Sequence, residues 1–113
     1  MVTLTNVGTV YDTTDASKGL GIQRIDFTGI ASVIFDVYVR KVGTGAQSWQ
    51  LWNVTDASEI GVITDSGAVA ERTLSATFAV ALSGTRVVRV RAKSTNGADD
   101  PIYYSSSVFL VPA

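Results

Sequence analysis

Cysteine and histidine are both missing from this sequence. Their absence excludes disulfides, thiolate chemistry, imidazole acid–base catalysis and zinc sites built from the usual ligands. A small domain that does without cysteine fits production in the cytosol. Proline occurs only as Pro101, closing a polar turn, and Pro112, near the end; neither position needs its N–H. Charge is scarce: 17% of residues are charged, for a net charge of −1 and an isoelectric point near 5.1. Nucleic acid demands a cationic excess to neutralise phosphate, so no nucleic-acid partner is expected. No apolar run approaches the ~18 residues of a membrane helix, and MVTLTNVGTV lacks the basic and apolar regions of a signal peptide. No membrane contact is expected.

What is present reads as β-structure. At 113 residues, 46% of them hydrophobic, the chain has the size and apolar content of one domain. Runs rich in Val, Thr, Ile and Tyr alternate with Gly, Asn, Asp and Ser clusters. They predict strands near 2–11, 21–28, 31–42, 47–54, 58–64, 71–82, 85–94 and 102–111. Nothing between them holds a crossover helix, so the expected fold is all-β: an antiparallel, jelly-roll-like two-sheet sandwich of about eight strands. Residues 1–20 read as an N-terminal strand and loop, a candidate contact arm, and 21–113 as the sandwich proper.

Alternation with a period of two assigns the faces. Phe35, Val37 and Val39 share one side of a strand, as do Leu74, Phe78 and Val80, and Val88 and Val90. Trp49 and Leu51 alternate with Trp52, which points the other way. These nine inward residues and Trp49 are the predicted core. Tyr38, Trp52, Tyr103 and Tyr104 are placed outward as candidate interface anchors, since aromatics dominate protein contacts. Trp52 also admits a sugar-stacking role.

Arg89, Arg91 and Lys93 form a stripe of like charge on one strand face. Such a stripe is either a solvated face relieved by opposite charges on neighbouring strands or a docking face for an acidic protein surface. Asp56 and Glu59 could be read as a glycosidase carboxylate pair, but Asp56 sits in the turn NVTDAS and Glu59 opens the next strand, so turn chemistry accounts for both. Asp12 with Asp15, and Asp99 and Asp100 with Asn96, lie in oxygen-rich loops without calcium-loop spacing. They read as solvated turns. No catalytic residue, metal or cofactor is expected. Asn53-Val54-Thr55 matches a glycosylation sequon, here read as a turn.

The stretch SWQLWNVTDASEIG, followed by ERTLSATFAVAL and TRVVRVRAKS, resembles small jelly-roll proteins of tailed-bacteriophage virions. The likeness covers roughly the C-terminal two-thirds of the chain. It implies a non-enzymatic capsid decoration (cement) protein on the outer surface of the virion, made in the host cytoplasm. It further implies the major capsid protein as partner and a homo-oligomer, a trimer, as the assembled form. Related patterns occur in tail-fibre tips and carbohydrate-binding modules, so a receptor- or carbohydrate-binding domain is the alternative.

Overall fold

Strict alternation along one strand organises the molecule. In Ile30–Arg40 the side chains of Val33, Phe35, Val37 and Val39 are fully buried, while Ile34, Asp36, Tyr38 and Arg40 face outward. β-branched and aromatic residues at every second position make a half-buried pleated surface the favourable state. Each such side chain contributes on the order of 1.5–3 kcal/mol through burial.

The computed structural model describes all 113 residues. Eight strands follow in order: β1 (Val2–Thr3), β2 (Gln23–Asp26), β3 (Ile30–Arg40), β4 (Gln47–Asn53), β5 (Ser58–Asp65), β6 (Glu71–Ala79), β7 (Thr85–Ser94) and β8 (Ile102–Pro112). A 3-10 turn at Asp15–Ser17 is the only helical element. Two four-stranded sheets pack face to face, in the orders β1-β8-β3-β6 and β2-β7-β4-β5. Every pair is antiparallel. Apart from the β4–β5 hairpin, consecutive strands from β2 onward alternate between the sheets. The expected sandwich and its strand count are therefore present.

The core is one cluster to which both sheets contribute, with Trp49 and Leu51 from β4, Val88, Val90 and Ala92 from β7, and the β3 residues. Leu74, Phe78 and Val80, expected in this core, are only half-buried and pack against it from the side. The reason is topological: β6 is an edge strand, covered by one neighbour only. It also ends at Ala79, so Val80 falls just beyond it. Gly61 of β5 lets this edge close, because a Cβ there would fall on the Phe78 ring.

Tyr103 requires a second correction. It is 8% exposed, belongs to the core and packs at 6.4 Å from Trp49. Against β3, Tyr38 pairs with Ser105 but Val39 pairs with Tyr103, leaving Tyr104 as an extra residue. This bulge turns Tyr103 inward and Tyr104 outward.

The first twenty residues lie on their own chain. Leu4 and Val7 are fully buried and Leu20 is nearly so, all within the same core. The expected strand 2–11 shrinks to Val2–Thr3, paired with Ile102 and Tyr103. Beyond it the backbone bonds the 97–101 loop, through Leu4 N–H to Pro101, Val7 N–H to Asp99 and Gly8 N–H to Gly97.

Candidate contact faces

The arginine stripe lies on the outer face of the β2-β7-β4-β5 sheet. Its cross-strand neighbours on β4 are Trp52 for Arg89, Gln50 for Arg91 and Ser48 for Lys93. None is acidic, so the expected relief by charged strand neighbours does not occur. The counter-charge arrives from the N-terminal loop instead. Arg89 donates to the Asp12 carboxylate and, at 3.3 Å, to the Ser17 carbonyl. Arg91 Nε lies 3.3 Å from Asp12 Oδ2, too far off line to bond it. The Arg91 guanidinium is instead held between two rings, 4.2 Å from Trp52 and 5.0 Å from Tyr11. Lys93 Nζ sits 4.8 Å from the centre of the Tyr11 ring.

The side chains of Arg89 and Arg91 are only 14% and 16% exposed. Two guanidiniums beside one carboxylate explain why residues 9–18 stay on this face. Burial pushes the Asp12 carboxyl up, but the Arg89 hydrogen bond and the charges of Arg89, Arg91 and Lys18 bring it below its ordinary value. Burial, with Glu59 nearby, raises the Tyr11 phenol. Trp52 lies half-buried against Arg91.

The outer face of the β1-β8-β3-β6 sheet is different. Tyr38 and Tyr104 stack at 4.7 Å, and both hydroxyls donate to Glu71, at 2.8 and 2.7 Å. These bonds hold the Glu71 carboxyl below its ordinary value, helped by Arg40, and raise both phenols. Beside the rings runs a shallow groove lined by Asp36, Thr73 and Ser105, Ser106 and Ser107. Asp36 Oδ1 is shielded from solvent there without a hydrogen-bond partner. Toward the other end of β8, Phe109 lies opposite Ile34 and is 54% exposed; Leu110, opposite the buried Val33, is on the inner side yet 41% exposed.

The acidic loops split into two kinds. Asp56 lies in its turn, but the side chain that caps the turn is Asn53, whose Oδ1 accepts from the Asp56 N–H at 3.1 Å, while the Asp56 carboxylate accepts from the Asn53 amide and Arg86 rather than from its own backbone. Asn53 is itself fully buried, so the sequon nitrogen is enclosed. Asp99 departs from the solvated-turn expectation. It is 6% exposed and accepts from Gly45 N–H at 2.9 Å, the Ser94 hydroxyl at 2.9 Å and the Gln47 amide at 3.4 Å. Gly43 approaches so closely that a Cβ would overlap the Asp99 carboxylate, and its φ of +90° suits glycine. Loops 42–47 and 94–101 are thus tied around one buried charge.

Sequence reasoning missed Asp36, Glu71, Tyr11 and Asp12 as site residues. The first two sit on strands whose pairing the sequence does not reveal. Comparison with protein-family models, with curated proteins and with solved structures gives no match.

Proposed function

We propose that the protein is a non-enzymatic virion component that decorates and stabilises a phage capsid, binding the major capsid protein at subunit junctions on the outer surface. Support comes from the sequence resemblance and from one observation above all: the outer face of the β1-β8-β3-β6 sheet presents Ile34, Tyr38, Tyr104 and Phe109 among hydroxyls, with Asp36, Arg40 and Glu71 as its charged groups. Aromatic and apolar groups ringed by polar ones are the composition of a contact patch. Copies would be made in the host cytoplasm and join the particle there.

Incubation with undecorated capsids followed by sedimentation tests the proposal. Saturable co-sedimentation at a fixed subunit ratio, lost on Tyr38→Ala, whose ring lies off the β8 edge, is the expected result. No co-sedimentation at any ratio would overturn it.

A second reading, a tail-fibre or receptor domain for saccharides, is favoured by the groove beside Tyr38. Asp36, neighbouring hydroxyls and an aromatic wall line it, a set that suits a polyhydroxylated ring better than a protein surface. Glycan-array binding abolished by Asp36→Ala, with capsid binding absent, would select this reading.

A further inference from the structure

We infer that β8 is the self-association edge of the molecule, pairing antiparallel with β8 of a second copy about a two-fold axis at Val108, the midpoint of its open run. One side of β8 is paired with β3 from Ile102 to Pro112. Its other side carries β1 at Ile102 and Tyr103 only. From Tyr104 to Pro112 that side is an open row of backbone donors and acceptors, bypassed by the loop and turn hydrogen bonds as well. Such a row is a template for another strand unless something guards it.

The other sheet edges are guarded. β2 carries Arg24 and Asp26, β5 carries Glu59 and Asp65, and β6 carries Glu71 and Arg72. β8 has no charged residue, and its proline, Pro112, lies at the very end. The bulge at Tyr104 bounds the open run on one side without protecting the rest of it.

A second copy of β8 fits this edge for three reasons. Two uncharged strands meet without enclosing any charged side chain, as self-pairing of β2, β5 or β6 would require. About an axis at Val108, Ser107 of each copy faces Phe109 of the other on the outer face and Ser106 faces Leu110 on the inner face, while Pro112 stops opposite Tyr104, short of the positions that β1 occupies. Small thus meets large twice over. The contact also covers the two large apolar side chains left exposed on this strand, Phe109 at 54% and Leu110 at 41%. Pairing joins two four-stranded sheets into one sheet of eight across an isologous interface. The pairing goes beyond the capsid reading, does not depend on it, and differs from the three-fold ring that the resemblance implies.

The absence of native cysteine makes the test clean. Light scattering of the full chain should give the mass of a dimer, and Phe109→Lys, on an exposed site, should give a monomer with an unchanged circular dichroism spectrum. Under mild oxidation Val108→Cys, on the axis itself, should form a disulfide-linked dimer on the order of tenfold faster or more than Ser75→Cys, because pairing raises the local thiol concentration. Ser75 lies on the outer face of β6, away from the axis. A monomer or a trimer by light scattering would overturn the inference, as would equal cross-linking of the two cysteine variants. If Phe109→Lys does not fold, the cysteine comparison still decides. Capsid binding by an unpaired monomer would leave the decoration reading intact, and dimers that ignore capsids would leave the pairing intact.

Discussion

Asp99 shows how much one side chain in a loop can carry. Burial alone would push its carboxyl up, but the hydrogen bonds from Gly45, Ser94 and Gln47 outweigh it and hold the value below the ordinary one. A carboxylate with a depressed folded pKa contributes stability above its unfolded pKa, near 3.9, and loses it as pH falls through the folded value. The acid limb of a melting-temperature profile should therefore steepen below about pH 4, and Asp99→Asn should flatten it. Asp99→Ala should cost about 2–3 kcal/mol at neutral pH, measured by urea denaturation, because several donors lose a charged acceptor. The two adjacent tyrosines give a sharper comparison. Tyr103→Ala should cost about 3–5 kcal/mol and Tyr104→Ala about 1 kcal/mol or less. Sequence alone assigns both rings outward, although neighbours on a regular strand must face opposite ways. A bulge leaves no mark in composition, and only the pairing with Val39 shows which ring turns in. Asp99 was equally illegible, since an aspartate in STNGADDP looks the same whether water or a folded loop surrounds it.

Strands with a clean period of two were the legible elements. Val33 to Val39 and Val88 to Ala92 are buried as their alternation requires, because one greasy face leaves a strand no other stable orientation. The first twenty residues were not legible in this way. Leu4 and Val7 are three apart, follow no strand period, and reach the core by backbone bonds to a loop more than ninety residues away. A segment read as an arm is therefore part of the fold. Leu4→Ala should cost about 2–5 kcal/mol in urea, and removing residues 1–12 should abolish cooperative unfolding before any partner contact is tested. At the β6 edge, half-burial of Leu74 and Phe78 follows from strand order, which alternation cannot supply. Gly61→Ala should cost about 1–3 kcal/mol there, read from the same denaturation curve, because its methyl would push against Phe78.

Taken as one body, the protein has two unlike faces. The N-terminal loop covers much of one sheet, with Asp12 and Tyr11 occupied by Arg89, Arg91 and Lys93. The other sheet shows tyrosines, serines and Phe109 to solvent. If copies join through β8, the melting temperature should rise with protein concentration, as it does whenever association favours only the folded state. A melting temperature constant over a hundredfold dilution series would speak against the pairing. Two sheets, an antiparallel order and a single core were readable from strand spacing. The asymmetry between the faces was not, because it depends on where a loop without periodicity comes to rest.

Val2 is paired beside Tyr103, and the N–H of Ala113 bonds Gly29 at the far end of β8. The nine residue steps between Tyr103 and Pro112, at about 3.3 Å each, set the two chain ends about 30 Å apart. A cargo fused behind Ala113 would thus emerge from the pole opposite Met1, clear of the loops tied around Asp99. A circularly permuted version would need a bridge of roughly nine or ten residues to join the old ends.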